Sequence, residues 1–122
     1  MSFFDLAVYS VKTTNRQQLA EFAEVTDAMF LEYGALRLID AWGDDVPHGK
    51  VTDLYRAVAA EPDRTVCFGI IEWPDKAVRD AGWARLETDP RMQGLQGPMD
   101  GKHMVFGGFS GLVDLLSEGQ RA

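Results

Sequence analysis

Cysteine is almost missing from this sequence. Cys67 stands alone, so no intrachain disulfide can form, and its place in the apolar run VCFGII marks it as a buried thiol. Without a basic neighbour it is a poor nucleophile. Histidine is nearly as scarce, with only His48 and His103. The spacings HExxH and CxxC and the EF-hand loop do not occur, so no metal is expected. GxSxG, the P-loop and GxGxxG are also missing, which removes the parts for serine hydrolysis and for nucleotide or dinucleotide binding. No cofactor is expected. No run approaches the roughly 18 apolar residues that cross a bilayer. The opening MSFFDLAVYSVK carries Asp5, no basic leader and too short an apolar stretch for a signal peptide. A cytoplasmic location follows as the expectation. Basic residues are outnumbered, 12 Lys plus Arg against 19 Asp plus Glu, for a net charge of −7. Such a field repels phosphate backbones and anionic lipid, so neither nucleic acid nor a membrane is an expected partner.

What is present suits one globular domain over residues 1–122, with 46% apolar and 25% charged residues. Phe3 to Val11 reads as a strand. Thr14 and Gln17 have the capping-box spacing that opens a helix. Leu19, Phe22, Ala23, Thr26, Met29 and Phe30 then recur at helical steps, and Gly34 closes the helix. Ala35–Trp42 and Thr65–Trp73 read as the second and third strands. Pro74 and Asp75 open a second helix that ends before Pro90. A glycine-rich loop leads to a last strand, His103 to Phe109, where Gly107 and Gly108 mark a bulge or a close backbone approach. Leu112–Leu116 could add a short helix or strand.

The order βαββαβ predicts an α+β ferredoxin-like fold, an antiparallel sheet with two helices on one face. The strands are apolar on both sides. Val66, Phe68 and Ile70 point one way, and Cys67, Ile71 and Trp73 the other; Val105 and Phe109 oppose Met104 and Phe106. Two helices cover one face only, so the other calls for a second layer, most simply the same face of a second subunit. A homodimer is the expectation.

The blocks GDDVPHGKVTDLYRAV, TDPRM and MDGKHMVFGGF resemble those of the YbaA-like proteins, a family of undefined function in the dimeric α/β-barrel superfamily. The likeness covers nearly the whole chain. It implies a ferredoxin-like subunit and a barrel made of two facing sheets. Where relatives often have Phe-Pro before Arg-Ala-Val, this chain has Leu54 and Tyr55.

Candidate chemistry concentrates between Trp42 and the third strand, a connection longer than a hairpin needs. Structureless loops beyond about 12–15 residues usually carry function or are disordered. Asp44, Asp45, His48 and Lys50 are the right types to hold a polar ligand, with Arg56 as an anion clamp. The same GDD and PHG runs are also ordinary turn chemistry. His48 and His103 are the candidate general bases. At 100° per residue, Ala77, Val78, Ala81 and Gly82 form the inner face of the second helix, with Arg85 inside that stripe and Trp83 outside it. Asp40 and Glu72 are then possible partners for Arg85. These readings predict a protein that binds a small organic ligand between the sheets and the 43–58 loop. The alternative, by likeness to the wider superfamily, is a cofactor-independent monooxygenase or an isomerase.

Overall fold

Strand β1 (Phe3–Lys12) starts the sheet and occupies one of its two central positions. A single 3-10 turn, Thr13–Asn15, leads into α1 (Arg16–Glu32). The chain continues through β2 (Arg37–Trp42), the one-turn α2 (Leu54–Ala57), β3 (Arg64–Trp73), α3 (Lys76–Glu87) and β4 (Val105–Ser110). The computed structural model describes residues 1–120. The four strands are ordered β2-β3-β1-β4 and every pair is antiparallel. With α1 and α3 on one face, this is the ferredoxin-like α+β fold expected from the element order.

Register sets which side chains meet the helices. Phe3, Asp5, Ala7, Tyr9 and Val11 of β1 lie opposite Trp73, Ile71, Gly69, Cys67 and Thr65 of β3. Leu38, Asp40 and Trp42 of β2 continue that face. Phe3, Trp73, Met29, Phe30 and Leu86 form one buried cluster, and Tyr9, Val11, Leu19 and Cys67 a second. The opposite face carries Phe4, Leu6 and Val8 of β1, Phe68 and Ile70 of β3, and Phe109 of β4. Neither α1 nor α3 covers it, and Phe109 is 53% exposed.

Glycine fixes the helix positions. Gly34 adopts φ +112°, the left-handed residue that terminates α1. A Cβ on Gly82 would lie 2.6 Å from the Trp73 ring, so α3 reaches the sheet only because that position has no side chain. At Gly108 a Cβ would lie 2.6 Å from the Phe3 ring, the close approach anticipated for the glycine pair in β4.

Four local expectations are corrected. The Thr14–Gln17 capping box does not form: Asn15 is the N-cap without a side-chain bond, and Gln17 donates to Glu21 instead. The entry is already tied down through the 3-10 turn, where the Thr13 and Thr65 hydroxyls are 2.7 Å apart. The last strand begins at Val105, because Asp100 starts a 3-10 turn, Gly101–His103, that takes His103 out of the sheet. On α3 the inner face is Val78, Arg79, Gly82, Trp83 and Leu86, while Ala77, Ala81 and Arg85 are exposed. Finally, Leu112–Leu116 adds neither helix nor strand.

Asp75 sets the phase of α3. It caps the helix by accepting from the Val78 amide at 2.8 Å. Gly82 then sits over Trp73, which swings Trp83 inward and leaves Arg85 to stack on the Tyr33 ring at 4.6 Å.

Candidate functional site

Between the sheet and its two long helices lies a cavity of about 780 Å³. That is within the range of about 300–1,000 Å³ typical of small-molecule sites. Leu19, Phe22 and Phe30 of α1 form one apolar wall. Met92, Met99 and Met104, from the segment joining α3 to β4, form another. Methionine is unbranched and adapts its shape to different occupants.

Three polar groups interrupt this lining on the side of β1, α1 and β2. Tyr9 is only 4% exposed, lines the cavity, and makes no side-chain hydrogen bond among the described residues. Burial and the neighbouring Asp40 hold its hydroxyl well above the usual tyrosine range, so it is a standing proton donor. Asp27 projects from the inner stripe of α1, half-buried, and lines the cavity together with Asp40 of β2. Two neighbouring carboxyl groups disfavour double ionisation. Burial first, then the neighbouring Asp40 carboxyl, push Asp27 up to about 8. Asp40 sits on the edge strand, exposed, with its side chain over Gly69: a Cβ there would lie 3.0 Å from the Asp40 carboxylate.

The other polar feature is already saturated. Asp5 accepts from Trp73 Nε1 and Trp83 Nε1, each at 2.9 Å, and from Arg79 Nη2 at 2.8 Å. These partners join β1, β3 and α3 around one buried carboxylate, and the Asp5 and Asp80 carboxylates hold Arg79 firmly protonated. This cluster braces the cavity wall and leaves little bonding capacity for a ligand.

Neither Tyr9 nor Asp27 emerged as a candidate from the sequence. Asp27 had a signal: an acid four residues after Ala23 and three before Phe30, on the apolar stripe. Asp40 had one too, because strand alternation puts it on the face of Leu38 and Trp42.

The sequence candidates lie elsewhere. Asp44, Asp45, His48, Lys50 and Arg56 are all exposed, and none lines the cavity. The loop that carries them is organised by Asp53, which accepts from the amides of Gly49 at 3.0 Å and Arg56 at 2.8 Å. Those bonds, that of Arg56 first, hold the Asp53 carboxyl below its ordinary range. His48 stacks on Tyr55 at 4.1 Å, and Tyr55 donates to the Val46 carbonyl at 2.8 Å. His103 is exposed, with Nδ1 2.7 Å from Asp100. The TDPRM block also has a local role. Asp89 accepts from Tyr33 and from the Arg91 guanidinium, which reaches on to Glu32 and pins the end of α3 to the end of α1. Arg85 pairs with neither Asp40 nor Glu72; Glu72 accepts from the Ser2 hydroxyl at 2.8 Å.

Residues 2–106 match the model of DUF1428, a protein family of unknown function. The chain belongs to this family. Uncharacterized protein YbaA of Escherichia coli (strain K12) is 42% identical to it over 116 residues, 93% of this chain and 99% of that protein. The resemblance read from the sequence blocks is therefore correct. Among solved structures, a dimeric ferredoxin-like protein from an uncultured marine organism is similar with a TM-score of 0.51 and 13% identity, covering 95% of this chain and 98% of that one. SnoaB, a cofactor-independent oxygenase from Streptomyces nogalater, is similar with a TM-score of 0.53 and 14% identity, over 95% and 98%. At such identities DUF1428 shares a fold with these proteins. No described helix is long and apolar enough to cross a membrane.

Proposed function

We propose that this protein is a cytoplasmic homodimer that binds a small, largely apolar organic molecule in the cavity between its sheet and helices. The observation that carries the reading is the cavity of about 780 Å³, apolar along most of its lining, with the Tyr9 side chain in its wall. A ligand oxygen placed there would accept a hydrogen bond from the Tyr9 hydroxyl in place of water. The sequence had suggested the space between facing sheets and the 43–58 loop; the cavity lies on the other side of the sheet, away from that loop.

The dimer reading rests on the uncovered apolar face of Phe4, Leu6, Val8, Phe68, Ile70 and Phe109. Two such faces, packed about a two-fold axis, bury each other and complete a barrel. The alternative from the sequence, a cofactor-independent oxygenase-like or isomerase-like enzyme, uses the same cavity. The Asp27 and Asp40 carboxyl groups in the lining favour the isomerase branch, because they supply acid–base chemistry and no electrons.

Native mass spectrometry with the bicyclic ketone 2-tetralone as probe tests both parts. Twice the chain mass with one probe per chain is expected, with the probe excluded when Ala23→Trp fills the cavity. Phe68→Glu is expected to yield monomers that still bind. A monomeric wild-type chain would overturn the barrel, and probe retained by Ala23→Trp would overturn the cavity assignment.

A further inference from the structure

We propose that Asp27, Asp40 and Tyr9 form a proton-transfer site for a ligand with a carbonyl group beside a C–H bond, an enolisable ketone or aldehyde. This rests on the cavity reading above and adds a reaction to it. Three observations converge. The two carboxyl groups come from different elements, α1 and β2, and both line the cavity. Gly69, their neighbour on β3, has no side chain, which leaves the space that the Asp40 carboxylate occupies. The Tyr9 side chain lines the same cavity, and its hydroxyl bonds to no described side chain.

The members are chemically unequal. Asp40 is exposed on the edge strand, whereas Asp27 is half-buried, and burial favours its neutral form. The other ionisable groups around them are Cys67 of β3, protonated by burial, and Asp5 with Arg79, Asp80 and Glu87 on the far wall. Among these, Asp5 and Arg79 are engaged with each other.

The step balances without an added reagent. The Asp40 carboxylate takes the proton from the carbon next to the ligand's carbonyl. The C–H electron pair becomes the carbon–carbon double bond, and the carbonyl π pair moves onto oxygen. Tyr9 donates a hydrogen bond to that enolate oxygen. Asp27, no longer needed by the neutralised Asp40, turns its proton to the same oxygen. Asp40 then returns a proton to carbon, either to the original atom, giving isotope exchange, or to a conjugated one, giving double-bond migration. A neutral carboxylic acid and a phenol are well suited to an enolate, because both donate hydrogen bonds to developing negative charge.

The experiment follows deuterium incorporation next to the carbonyl of 2-tetralone in D2O by NMR, with the full-length protein. Positioned acid–base groups typically give about 100- to 10,000-fold acceleration, so wild type is expected to exceed buffer by at least about 100-fold. Asp27→Asn and Asp40→Asn, both isosteric, are expected to fall to within a few-fold of buffer, and Tyr9→Phe to lose about 10- to 100-fold. Native mass spectra of the same samples report binding separately. Probe bound by wild type without accelerated exchange overturns the proton-transfer site and leaves the cavity reading standing; no binding at all overturns both. Full exchange in folded Asp40→Asn, with circular dichroism matching wild type, also overturns the assignment.

Discussion

Replacing Asp27 with Asn tests the shared proton through stability alone, with no ligand needed. In the folded chain Asp27 is raised from 3.8 to about 8. Between those values the folded state holds a proton that the unfolded state releases. The sign follows directly: the contribution is complete below about pH 4, and stability falls as pH rises through about 8. The full difference corresponds to at most about 5–6 kcal/mol. Asp27 is only half-buried and Asp40 is open to water, so solvent screening reduces the expected effect to about 2 kcal/mol. Asparagine keeps the shape and still donates to the Asp40 carboxylate, but does not titrate. Urea unfolding followed by tryptophan fluorescence, at one fixed protein concentration, at about pH 5 and about pH 9, should show wild type losing about 2 kcal/mol more than Asp27→Asn. Titrating groups not coupled to residue 27 contribute equally to both proteins. Parallel stability profiles across that range would refute the placement of a proton on Asp27.

Three further outcomes are expected. Asp5→Ala strands the Arg79 guanidinium and two indole N–H groups, and chemical denaturation should find a loss of about 3–5 kcal/mol; a loss under 1 kcal/mol would mean that water replaces the carboxylate. Gly82→Ala drives a methyl group into the Trp73 ring, and its strain of about 1–3 kcal/mol should outweigh the roughly 1 kcal/mol gained in helix propensity, lowering the melting temperature. Tyr55→Phe removes the bond to the Val46 carbonyl and should lower stability by about 1 kcal/mol with unchanged 2-tetralone affinity; a weakened affinity in a titration would return attention to the 43–58 loop.

Hydrophobic period and element order carried most of the architecture in the sequence. Strand alternation in TVCFGIIEW assigned Cys67 and Ile71 to one face and Phe68 and Ile70 to the other, and the pairing of β1 with β3 follows that division. Gly34 and Asp75 act at the helix ends where their chemistry suggested. The phase of α3 was harder to read. Arg79 and Trp83 are polar-tipped, and they count as inward residues only once Asp5, more than seventy positions earlier, is seen to accept from both. The cavity groups were hidden for the same reason. Tyr9, Asp27 and Asp40 lie far apart in the chain, and each looks unremarkable alone. The 43–58 loop drew attention because its polar residues are close in sequence, whereas its order comes from Asp53, an N-cap whose signal is the Asp ahead of LYRA.

The sheet is one residue thick, and its strands alternate. In β1 the side chains of Tyr9, Ala7 and Asp5 share the face that meets the helices, while those of Val8, Leu6 and Phe4 share the face that the helices leave uncovered. Two vocabularies are thus interleaved in a single stretch of sequence. Substitutions at one parity can retune what the cavity accepts and leave the other surface untouched, so descendants of this chain are free to diversify one property at a time. An inserted or deleted residue within β1 has no such freedom: it exchanges both sets at once. Drift in this strand should therefore proceed by replacement, with length held constant.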